Sequence, residues 1–170
     1  LRLDRRGSTV RFALDARPPP ALAAALVARG EVGRASRLVS VQRLSTAAGR
    51  LYLELERADL GGWQPWFDYP LPLAGHGGVR AWLDADGEGS FALTADVALD
   101  GVKTRFAEGL PALDVVQLDG RLSMTRGAKG SSFGARGLTL SLADGLTVAP
   151  TDFDLRLDPV GEGEPAGGRV

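Results

Sequence analysis

Oxygen-bearing side chains at alternate positions make Asp84-Ala85-Asp86-Gly87-Glu88-Gly89 the first candidate for chemistry. A calcium loop uses that spacing, but one opening at Asp84 needs a bidentate carboxylate at its twelfth position, where Ala95 stands. The segment reads as a polar hairpin turn. His76, the single histidine, lies in Gly75-His76-Gly77-Gly78. No Gly-x-Ser-x-Gly elbow and no cysteine offers it a nucleophile to activate, so it reads as a solvated loop residue. Gly127-Ala128-Lys129-Gly130-Ser131-Ser132 has the ingredients of a phosphate loop in the wrong order, because the lysine precedes the last glycine. It reads as a turn. Asp59, Asp68, Asp84 and Asp96 are carboxylates of the kind glycoside hydrolysis uses, yet nothing in their placement selects a pair. The expectation is a chain that is not an enzyme and holds no cofactor and no metal.

One cluster is sharper. Trp63, Trp66, Phe67 and Tyr69 crowd a stretch broken by prolines and glycines. Such side chains suit a membrane interface or a lipid path, and they equally suit packing over one end of a sheet.

The elements that would position any of these groups are strands. Leu51-Tyr52-Leu53-Glu54-Leu55-Glu56 puts three leucines on one side and a tyrosine and two glutamates on the other. Phe91 to Leu99, Leu138-Thr139-Leu140-Ser141-Leu142 and Phe153-Asp154-Leu155-Arg156-Leu157 alternate in the same way. A period of two marks a sheet with one apolar and one polar face. Turn signals at Arg6-Gly7-Ser8, Asp86-Gly87-Glu88-Gly89, Asp100-Gly101 and 126–130 separate the strands at short intervals, which predicts an antiparallel meander. After Pro18-Pro19-Pro20, the strong helix formers of Ala21 to Arg29, stopped by Gly30, predict one short helix near residues 21–29. The expected fold is mostly β: a meander curved into an open groove or a sandwich-like sheet. Residues 1–158 are expected to form one β-rich domain, an interior fragment of a much longer repetitive protein. Residues 159–170, rich in Gly, Glu and Pro, are expected to be a loose tail.

Composition narrows the function. The 170 residues carry 20 basic and 21 acidic side chains, a net charge of −1 with no basic stripe. Nucleic-acid binding, which depends on phosphate contacts, is therefore not expected. The absence of cysteine excludes disulfides and thiolate metal sites. Mean hydropathy is near zero, and no apolar run reaches the roughly 18–20 residues of a spanning helix.

Gly109-Leu110-Pro111-Ala112-Leu113, Leu118-Asp119-Gly120-Arg121-Leu122-Ser123 and Phe133-Gly134-Ala135-Arg136-Gly137-Leu138-Thr139-Leu140 together resemble the repeat phrasing of YhdP-type proteins of the AsmA-like family. Ala58-Asp59-Leu60 followed by Trp63 and Trp66, after a Gly-Arg-Leu strand, is similar to that family too. The resemblance covers most of residues 36–158. It implies a segment of a large Gram-negative envelope protein, anchored in the inner membrane by a helix outside this stretch. Its periplasmic β-groove would carry phospholipid towards the outer membrane. It further implies neighbouring β-repeats of the same chain as partners. On that reading Leu51, Leu53, Leu55, Phe91, Leu93, Val97, Leu138, Leu140, Leu142, Phe153 and Leu155 would line the groove. The alternative is a structural or interaction module in which the same residues close a sealed core.

Overall fold

The alternating stretches pair in the order in which they are made. The computed structural model describes residues 1–33, 48–65, 73–105, 112–128 and 130–158. Its strands are β1 (Arg2–Arg6), β2 (Thr9–Ala16), β3 (Ala25–Val32), β4 (Gly49–Asp59), β5 (Leu73–Ala85), β6 (Phe91–Thr104), β7 (Leu113–Gly127), β8 (Gly130–Leu142) and β9 (Thr147–Leu157). They form one nine-stranded sheet, β1 to β9 in sequence, and every neighbouring pair is antiparallel. This is the expected meander in its open form. No second sheet packs on it among the described residues.

The helix expected at 21–29 is not there. Ala25 to Val32 is β3, paired with both β2 and β4. Alanine and leucine favour a helix locally, but that preference is worth only tenths of a kcal/mol per residue. Here Leu26, Ala28 and Val32 alternate with Val27, Arg29 and Glu31, and two flanking strands offer a full set of ladder partners. The short helix that does form is α1 (Leu60–Trp63), which follows β4 directly. Asp59 caps it, its carboxylate accepting from the Gly62 N–H at 3.0 Å.

Two other readings change. Asp100-Gly101 is not a turn: β6 runs through it. His76 is not in a loop either; it is an exposed residue of β5, opposite Asp59 and Asp100. The expected tail, 159–170, lies outside the described residues.

Bulges interrupt the ladders, and they keep the two faces separate. On β4 the register shifts between Leu55 and Ala58 around Arg57, which has φ of 49°. On β6 the shift falls at Gly101 (φ 59°), and on β8 at Gly137 (φ 57°). Each extra residue reverses the parity of the strand beyond it. Leu51, Leu53 and Leu55 give way to Ala58, and Phe133 and Ala135 give way to Leu138, Leu140 and Leu142. The opposing strand must allow a close approach: a Cβ on Gly120 would stand 3.0 Å from the Leu138 Cα.

The two buried clusters sit at one end of the strands, while Val32 and Ala135 are buried separately from them. Leu60 of α1 packs with Leu99, Val102 and Val115, and Ala23 packs with Leu55 and Ala58. The 19–24 segment is held there by hydrogen bonds from the Ala24 N–H to the Glu56 carbonyl and from the Asp59 N–H to the Leu22 carbonyl.

Candidate functional site: one apolar face, one charged face

Register turns the alternation into rows that cross the whole sheet. Leu3, Phe12, Gly30, Leu51, Leu83, Leu93, Met124, Phe133 and Leu155 lie opposite one another in succession, one from each strand. The Phe12 ring lies over Gly30, filling the place of its missing side chain. Two residues further along, Leu14, Ala28, Leu53, Ala81, Ala95, Leu122, Ala135 and Phe153 make a second row. A third contains Leu26, Leu55, Val79 and Val97.

All eleven leucine, valine and phenylalanine positions expected to act together fall on this face. Leu51, Leu93 and Leu155 are in the first row, Leu53 and Phe153 in the second, Leu55 and Val97 in the third. Phe91 lies at the hairpin end, and Leu138, Leu140 and Leu142 lie beyond the β8 bulge. Reading single strands missed Phe12, Leu83, Met124 and Phe133. The cross-strand register is needed to place them in the same rows.

Burial along this face is graded. Next to α1, Val115 is 3% and Leu55 8% exposed, whereas Phe153, Leu155 and Leu157 on β9 are about half exposed. Trp63 belongs to the covered end. It packs against the Ala23–Leu55–Ala58 cluster and donates from Nε1 to the Leu22 carbonyl at 2.9 Å. Of the aromatic segment, Trp66, Phe67 and Tyr69 lie outside the described residues.

The opposite face is a lattice of ion pairs between neighbouring strands. Arg11 meets Glu31 at 2.8 Å, Arg50 meets Asp84 at 2.7 Å, and Arg121 meets Asp96 at 2.6 Å. Arg80 reaches Glu54 at 2.9 Å and Arg136 reaches Asp154 at 2.8 Å. Tyr52 and Trp82 meet across β4 and β5 with centroids 5.5 Å apart and ring planes tilted by 48°, and the Arg121 guanidinium lies 6.0 Å from the Trp82 ring. The Tyr52 hydroxyl and then Arg80 hold the Glu54 carboxyl below its ordinary range. Arg121 does the same for Asp96. The Tyr52 hydroxyl is pushed up, chiefly because it donates to the Glu54 carboxylate.

A depression of about 670 Å³ opens beside the β4 bulge, lined by Ala25, Val27, Gly78 and Ala98 among small residues and by Glu54, Glu56, Arg80 and Asp96 among charged ones. Three of these charges are engaged in ion pairs, as Arg80 bonds Glu54 and Arg121 bonds Asp96.

Of the sequence candidates for catalysis, Asp59 and His76 are cross-strand neighbours on β4 and β5, and Asp68 lies outside the described residues. Asp84 is paired with Arg50, and Asp96 with Arg121. The Asp86 carboxylate accepts from the Glu88 and Ser90 N–H groups of its own turn, which lowers its pKa. No group of three or more metal-ligating side chains forms among the described residues, and no helix there is long and apolar enough to cross a membrane. Comparison with known protein families, curated proteins and solved structures finds no match.

Proposed function

We propose that the apolar face binds the acyl chains of phospholipid, and that this chain does so as a β-repeat segment of a periplasmic, inner-membrane-anchored envelope protein. The observation carrying the reading is the set of apolar rows crossing the strands with no second sheet over them among the described residues. A monomeric globular surface seldom leaves so wide an apolar strip uncovered. Each methylene withdrawn from water is worth about 0.8 kcal/mol, so an acyl chain has ample reason to lie there. The head group would keep its water, since desolvating it is costly. No step of this function requires a reacting residue. The resemblance of most of residues 36–158 to the repeat phrasing of AsmA-like proteins supports the same assignment, with neighbouring repeats continuing the sheet.

Native mass spectrometry on the protein purified gently from a Gram-negative host tests it. Phospholipid should co-purify, and Leu53→Asp or Leu140→Asp should remove the lipid while leaving a folded protein. A lipid-free protein that takes up no added fluorescent lipid would instead identify a structural module.

A further inference from the structure

The charges are not distributed at random between the faces. Of the charged residues paired in the cross-strand register, Arg5 and Arg126 are those that fall in the apolar rows. Both are cations. Both belong to one row, which crosses the sheet at the end farthest from α1 and includes Phe91 and Ser131. Arg5 donates to the Gly7 carbonyl of its own turn. Arg126 is exposed and meets no carboxylate among the described residues. Its neighbours on the same face are Phe91 and Ser131 across the ladder and Met124 along the strand. Of the two carboxylates in the β5–β6 turn, Asp86 is engaged by its own backbone, and Glu88 forms no ion pair with Arg126.

From these placements we infer that the face binds an amphiphile in one orientation, with an anionic phosphate head at Arg126 and the tail running along β6 and β7 towards α1. This deepens the lipid reading and rests on it. The path has a defined length. From Arg126 to Leu118, where the cluster under Leu60 begins, β7 covers about 26 Å at about 3.3 Å per residue. A zigzag of ~1.5 Å carbon bonds advances about 1.25 Å per bond, so roughly 20 carbons fill it. A guanidinium at the lip offers a phosphate a forked, charge-assisted contact. The buried Leu60–Val102–Val115 cluster at the far end gives the tail a stop.

Photocrosslinking separates this orientation from the broader reading. One probe is a phosphatidylglycerol bearing a diazirine at the acyl terminus; a second bears it on the head group. The tail probe should label α1 and residues 98–104, and the head probe residues 85–91 and 126–131. Arg126→Glu should weaken phosphatidylglycerol uptake at least five-fold while leaving uncharged diacylglycerol uptake unchanged, and Arg126→Lys should largely restore it. Labels on the apolar rows with head and tail mixed or reversed would overturn the orientation and leave lipid binding standing. Absence of labelling and uptake would remove both. Inorganic phosphate binding that is lost in Arg126→Glu, without lipid uptake, would mark a plain phosphate site and overturn the inference.

Discussion

The two ends of the apolar face are built from the same residues and behave differently. Leu55 and Val115, beside α1, are almost wholly buried, whereas Leu155 and Phe153, out on β9, are about half exposed. Apolar and polar residues alternate in both places, with bulges resetting the parity near α1. The difference is the short segment after β4 and the 19–24 crossing, which fold back over one end, whereas β9 is the edge strand of the sheet. Burial on a one-sided sheet is thus decided by what lies outside the strands. Hydrophobic core and hydrophobic surface can share a single row pattern.

The strongest test of this contrast is a pair of matched substitutions. Leu55→Asp places an unpaired carboxylate in the covered cluster and should cost about 3–5 kcal/mol, or unfold the protein. Leu155→Asp should change stability by less than about 1 kcal/mol. Urea denaturation midpoints distinguish them, and equal losses would mean that the face is sealed throughout. Acid should separate the regions in another way. The folded-state pKa values of Glu54 and Asp96 are lowered. Their stabilising contribution is therefore full above the ordinary carboxylate range near ~4 and is lost as pH falls through the lowered values. The buried clusters contain no polar side chain. Hydrogen exchange at falling pH should loosen the centre of β4 to β7 before the backbone beneath α1, and Arg121→Met should remove part of that pH dependence. The smallest effect is expected at Arg57, a non-glycine residue held at positive φ on the border of the covered end. Arg57→Gly relieves about 1–2 kcal/mol of left-handed strain against a glycine entropy cost of about 0.5–1 kcal/mol. A rise in stability of about 0.5–1 kcal/mol should result, read from the thermal midpoint.

Much of the sheet was legible in the sequence because alternation is local. The Leu51–Leu55 pattern, the Phe91–Leu99 pattern and the turns near residues 7, 87 and 128 each need only a window of a few residues. What escaped depends on partners. Ala21 to Arg29 looks helical by composition, yet from Ala25 onward it is strand because β2 and β4 flank it on both sides. Asp100-Gly101 looks like a turn and is a bulge, since β5 and β7 continue past it. The candidate face was legible as eleven separate positions. Its continuity, and the two arginines at its lip, exist only in the register between strands far apart in sequence.

Pairing strictly in chain order also has a mechanical consequence. Each interior strand is hydrogen-bonded to its predecessor and its successor, so the sheet behaves as a one-dimensional array whose stability is a sum of nearest-neighbour couplings. Few long loops need closing, which favours zipping from any hairpin. Under tension or dilute denaturant such an array loses strands from its ends inwards. The five-residue β1, exposed along its whole length, should peel away first.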